Sequence, residues 1–344
     1  MLRDAGLSRI PYLASRNFLE PANLLQSMYD SNSKGISYTA GFFILIGFVV
    51  AGLLLSGLIS IPVWTSMTGT SFEKMSEGLD NPANADAYKL IQVITAVVGF
   101  FLPALLTAFL LNKRPMKLLG YSGKPGSGQM LLVFFIMLFG LAVSSGLSYF
   151  NSHLPIPPEW KASFDKMESD YNSGVESIIS LNSFPEYLFA LFMLAFLPAL
   201  CEETLFRGGL QNFLTRSTKL PWLSIIIVSI LFSLAHWSYY GFLSRLFLGI
   251  MLGLLYHYSG KIWLNILGHF LNNAIAITVL YYFTQQGKPL KDVMNDNTES
   301  FWGILALPIV IILLVRFWQI SKKDKEPLTA PPPVPHAPGD IFPS

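Results

Sequence analysis

The chain has 344 residues, of which 52% are hydrophobic, 14% aromatic and only 13% charged. That balance excludes an ordinary soluble domain and points to a protein that crosses a membrane several times. A net charge of +2 offers nothing to nucleic acid, and a single cysteine, Cys201, excludes an internal disulfide.

Residues 1–40 are polar, with Arg3, Arg9, Arg16 and Lys34, and lack the apolar core of a signal peptide. Eight apolar runs follow, most of them long enough to span a bilayer. The first three cover about 41–63, 87–111 and 130–150. Residues 151–185 read as a long polar loop carrying Asp165, Glu168, Asp170 and Glu176. A fourth helix starts near Glu186, and Gly208-Gly209 is expected to loosen it. Pro221 restarts a fifth to about Trp237, and 242–258, 262–283 and 302–320 are the last three. The tail 321–344, with Pro331-Pro332-Pro333, cannot bury a core and is expected to be disordered. The pattern predicts an all-α, polytopic transmembrane bundle of about eight spans. Basic loops mark the cytoplasmic side. Residues 113–124 and 207–219, Lys261 and the tail are basic, while 73–86 and 165–176 are acidic. Eight spans with both termini cytoplasmic satisfy all of them.

Polar residues interrupt the apolar pattern in four places. The first is Glu202-Glu203, followed by Arg207. A charge at bilayer depth costs about 2.5–3.5 kcal/mol on insertion scales, so acids there are candidate functional groups. Glu203 and Arg207 are four apart on one helix face and can pair. Glu202 is turned about 100° away and remains free. Pro198 removes a backbone donor just before them and should bend the helix. The second place is Phe232 to His236, late in the fifth helix. The third is the seventh helix, where Asn265, His269 and Asn272/Asn273 form one polar stripe. The fourth is Arg245, read as an interfacial residue whose long side chain reaches toward the membrane surface. Cys201 reads as a small packing residue, and His153 and His257 as surface or structural residues. Counted from the helical turns, Glu202 and His236 reach about 21 and 25 Å in, and His269 about 12 Å. They meet if the fourth–fifth hairpin projects about 10 Å into the cytoplasm, giving an intramembrane site open to that side.

A Glu and a His can activate water, and a His and an Asn one turn apart can donate to a developing oxyanion. The set Glu202, His236 and His269 can alternatively hold zinc with an open position, although no HExxH or CxxC is present.

Glu202-Glu203-Thr204-Leu205-Phe206-Arg207 resembles the EExxxR motif of the CPBP family of CAAX proteases and bacteriocin-processing enzymes. Phe232 to His236 is similar to that family's FxxxH motif, and His269 to Asn273 to its HxxxN motif, in the family's order. The resemblance implies an intramembrane endopeptidase, with Glu202 and His236 activating water and His269 and Asn273 forming the oxyanion hole. Glu203, Arg207 and Phe232 would then be supporting residues. It places a CAAX-protease-like catalytic core at 181–285. Around it lie a cytoplasmic segment 1–40, transmembrane helices and loops 41–180, a last membrane helix 286–320 and the tail 321–344. No cofactor is expected, with zinc as the alternative. The expected partners are the lipid bilayer and a membrane-embedded or lipid-anchored peptide or protein substrate, in a bacterial plasma (inner) membrane. The rival reading is a non-enzymatic scaffold or bacteriocin-immunity protein.

Overall fold

The computed structural model describes residues 32–78, 81–295 and 300–323. Most of the expected N-terminal segment, and the tail from residue 324, lie outside the described residues.

The architecture is helical throughout, the one departure among the described residues being an isolated antiparallel bridge between Ser33 and Asn112. Helix α1 is Tyr38–Thr68, opened by the Ser37 side chain accepting the Ala40 N–H and closed by Gly69 at φ 70°. Next come α2, Ala85–Leu111, and α3, Ser127–Ser152. Helix α4, Pro158–Ile178, is followed by α5, Phe184–Thr218. Then come α6, Pro221–Leu234, α7, Phe242–Ser259, and α8, Ile262–Gln285. A short helix, Leu290–Asn295, precedes α9, Phe301–Lys323.

Seven of these, α1, α2, α3, α5, α7, α8 and α9, are long and apolar enough to cross a membrane. Their outward faces carry bare apolar side chains such as Phe43, Leu54, Leu58 and Ile312, all more than 60% exposed. Such faces suit lipid, and the protein is an integral membrane protein. The eighth expected span is shorter than the sequence suggests. Helix α6 has 14 residues, about 21 Å against a hydrocarbon core of about 30 Å. It stops at Leu234 instead of Trp237, because Trp237 adopts a left-handed conformation, φ 49°, that no α-helix can continue through.

Residues 151–185 are not a loop. They contain α4, a 21-residue helix begun by Pro157-Pro158. Its apolar side chains Phe164, Met167, Tyr171 and Val175 recur at helical spacing, but the acids between them hide the stripe. Gly208-Gly209 lies within a widened turn of α5, in keeping with the expected loosening, and the helix continues through it. Two wide, π-type stretches, Leu191–Phe196 and Thr204–Gln211, are absorbed within one continuous helix.

The core runs through the centre of the bundle, where Leu45, Ala104, Leu119, Val133, Met137, Phe213, Phe232, Leu252 and Leu264 are buried together. Helix α3 packs on α7, α8 and α9, and α6 on α7. The tip of the α5–α6 hairpin rests on the start of α1, where the Thr39 and Ser217 hydroxyls lie 2.6 Å apart. Gly249 sets the closeness of α6 and α7. A Cβ there would come within 2.9 Å of the Ser229 Cβ and 3.0 Å of its Cα.

Candidate active site

Helix α5 turns Glu203 into the bundle and Glu202 toward its edge. Glu203 is fully buried, whereas Glu202 is half-buried. Glu203 Oε1 accepts from Arg207 Nη1 at 2.7 Å and lies 2.9 Å from His269 Nδ1. Its Oε2 accepts from Asn265 Nδ2 at 3.5 Å. Arg207 is itself buried and donates through Nη2 to the Gly249 carbonyl at 3.2 Å. Asn265 also donates to the Leu252 carbonyl at 2.6 Å. A buried ion pair becomes tolerable as its remaining valences are met; here α5, α7 and α8 meet most of them, with Arg207 Nε and Asn265 Oδ1 left without a partner. The expected i,i+4 pair is present, and it is the hub of a network.

Glu202 has no such partners. Its Oε2 is buried without a hydrogen bond, and it acts electrostatically on both His236 and Arg207. His236 follows the end of α6 and donates through Nδ1 to the Phe232 carbonyl at 2.8 Å, which leaves Nε2 with the lone pair. The Phe232 ring binds the site together. It lies 4.6 Å from the Arg207 guanidinium carbon, 4.9 Å from the His236 ring and 5.8 Å from that of His269.

The structure gives three of the polar residues partners that spacing alone does not name. His269 sits on Glu203, because the rotation of α8 against α5 points its Nδ1 at the buried carboxylate. The Asn273 amide is already engaged, donating to the Leu194 carbonyl at 3.0 Å. That carbonyl lies four residues before Pro198, which has no N–H to give it. Asn273 supplies the missing donor, and Asn272 donates to the Asn273 Oδ1 at 3.1 Å. Arg245 folds back toward the N-terminal end of α7 and the polar helix α4, as an interfacial residue would. Its Nη1 is buried without a hydrogen bond, and the guanidinium lies 5.0 Å over the Tyr171 ring.

Glu202, His236 and His269 are not gathered as a three-ligand site: among the described residues no three His, Cys, Asp or Glu side chains come together to hold a metal. Cys201 is a buried free thiol packed with apolar neighbours, as expected.

Sequence reading missed two contributors. One is the Gly249 carbonyl, which no side-chain pattern could reveal. The other is α4, which closes over the loop after His236. Phe164 stacks on Tyr239 at 4.3 Å, Ser238 donates to Glu168 at 2.6 Å, and Tyr240 donates to Asp165 at 2.6 Å.

Residues 184–275, from the start of α5 through the middle of α8, match the family model described as type II CAAX prenyl endopeptidase Rce1-like. The segment is Rce1-like. It contains every residue of the network around Glu203, together with Glu202, His236 and Asn273, and it supports the CPBP family for this chain and peptidase activity of the CAAX-protease type. No curated protein and no solved structure matches the chain.

Proposed function

We propose that this protein is an intramembrane endopeptidase that hydrolyses a peptide bond in a membrane-embedded or lipid-anchored substrate. The observation that carries the reading is the contrast between neighbouring acids. Glu203 is saturated by Arg207, His269 and Asn265, while the Glu202 carboxylate has a buried, unpartnered oxygen beside His236. A water between Glu202 and His236 would donate one hydrogen to the carboxylate and the other to the imidazole Nε2. Glu202 then takes the proton as the oxygen attacks the peptide carbonyl, and returns it to the leaving amine.

The oxyanion needs N–H donors. The Asn273 amide has a second N–H beyond the one on Leu194. His269, held through Nδ1 by Glu203, offers Nε2–H when doubly protonated. Glu203, Arg207 and Phe232 position these groups and do not react. We place the protein in a bacterial plasma membrane with both termini cytoplasmic, the orientation being supported by the basic segment 113–124 and by Arg216 and Lys219 at the tip of the α5–α6 hairpin. No metal is assigned to the reaction.

The test is cleavage of a lipid-anchored peptide library by purified protein, wild type against Glu202→Gln, with products identified by mass spectrometry. The reading requires cleavage by the wild type and its loss in a folded Glu202→Gln protein. A folded wild type that cleaves nothing, or a fully active Glu202→Gln, overturns it and favours a scaffold or immunity role.

A further inference from the structure

Arg245 is a cation without a counter-charge where that arrangement is costly. It lies one turn inside α7, its Nη1 is buried without a hydrogen bond, and no carboxylate approaches it within ion-pair distance among the described residues. A buried guanidinium N–H without a partner is satisfied most strongly by a group that arrives with the opposite charge. Tyr171 from α4 offers its ring face. His236 lies within its electrostatic reach, as does Glu202 within that of His236. Glu202 is needed free as the base, and it keeps its own unpartnered oxygen.

The guanidinium is also held in place. It folds back along α7 onto Gly241, so closely that a Cβ there would stand 2.0 Å from Nη1. Gly241 has φ −85°, which any residue can adopt, so what requires glycine here is the space for Arg245 rather than the backbone. One face of the guanidinium rests on Tyr171, and Nη1 keeps its hydrogens without a partner. A planar fork with free N–H edges matches a carboxylate.

We propose that Arg245 is the receptor for a carboxylate of the peptide substrate, held over Tyr171 and against Gly241 beside His236, so that the bond cleaved lies near that carboxylate. This rests on the protease reading above. The carboxylate is either the substrate's C-terminus or an Asp or Glu side chain.

The experiment uses one palmitoylated octapeptide with an aliphatic C-terminal half in three forms: free C-terminal acid, C-terminal amide, and amide with an internal Asp. Binding to full-length protein is read by fluorescence anisotropy, and cleavage by mass spectrometry in parallel. The wild type should bind one of the carboxylate forms more tightly than the plain amide by about 10–100-fold, the range of a charge-assisted hydrogen bond. The free acid alone being preferred identifies the C-terminus, and the Asp form alone a side chain. In Arg245→Gln that preference should collapse toward one. Gly241→Ala should weaken it in the same direction while Arg245 keeps its charge, because only the flexible end of a side chain must move. Equal binding of all three peptides by the wild type overturns the proposal, as does a preference that survives Arg245→Gln. A carboxylate preference lost in Arg245→Gln without any cleavage would leave the receptor standing and remove the protease reading instead.

Discussion

Glu202 and Glu203 are adjacent in sequence and opposite in circumstance, and substitution should separate them cleanly. Glu202→Gln should abolish cleavage with the melting temperature nearly unchanged, since its carboxylate makes no hydrogen bond among the described residues. Glu203→Gln should lower stability by about 3–5 kcal/mol in a thermal-shift or denaturant series, because it leaves Arg207 and His269 facing a neutral amide in the core. Asn273 has two candidate duties, and Pro198 tells them apart. Asn273→Ala should reduce turnover by about 10²–10³ if the oxyanion donor is lost. Adding Pro198→Ala returns an N–H to the Leu194 carbonyl. Turnover restored in the double variant would show that Asn273 acts only by satisfying that carbonyl. Turnover that stays low keeps the oxyanion role.

At the scale of elements, α4 is a polar helix held by a few contacts, and one of these, Asp165 with Tyr240, titrates at both ends. The Lys161 ammonium and the Tyr240 hydroxyl hold the Asp165 carboxyl below the usual carboxylate range, and Asp165 in turn pushes Tyr240 upward. The depressed acid stabilises docking above about pH 4 and ceases to as pH falls through its folded-state value. The raised phenol contributes below about pH 10 and ceases to as pH climbs through its own. Hydrogen exchange across 158–178, corrected for intrinsic rate, should therefore be flat between those limits and quicken outside them. A pH-independent profile down to pH 3 would show that apolar contacts, the stack of Phe164 on Tyr239 and the packing of Val175 among them, hold α4 without the Asp165 bond. The membrane helices were legible because long apolar runs leave few alternatives, and the Glu203–Arg207 pair because four-residue spacing is enforced by the helix itself. Helix α4 was not, since Asp165, Glu168 and Asp170 interrupt its stripe. Nor were the partners of His269 and Asn273, because which carboxylate or carbonyl they meet depends on how α8 is rotated against α5. That rotation is fixed by packing, such as Asn265 on the Leu252 carbonyl, and not by any local pattern.

For the whole molecule, the basic and acidic loops set an orientation that labelling can check. Cysteines placed at Lys124 and Lys166 should react from opposite faces of sealed vesicles, the first from the cytoplasmic face. The buried Cys201 should stay silent. Labelling of both from one face would refute the arrangement. The depth relation also holds together. His269 is about 10 Å into α8 and Glu203 about 22 Å from the end of α5, yet they touch, so the α5–α6 hairpin extends about 12 Å beyond the α7–α8 turn.

Helix α6 leaves about 9 Å of an average hydrocarbon core without protein along its axis. Beyond its end lies the segment from His236 to Gly241, with Trp237 75% exposed and Tyr239 and Tyr240 beside it, side chains that favour headgroups over acyl tails. Helix α4 covers Tyr239 and Tyr240, so lipid meets this flank at Trp237, and the bilayer is expected to thin toward it to match the short helix. Thinning lowers the wet surface of the membrane toward His236 and Glu202, and hydrolysis consumes a water that a flat bilayer would keep more distant. Thicker membranes resist the deformation more strongly. Turnover in reconstituted bilayers should therefore fall as phosphatidylcholine acyl chains are lengthened, while Glu202→Gln stays inactive at every thickness.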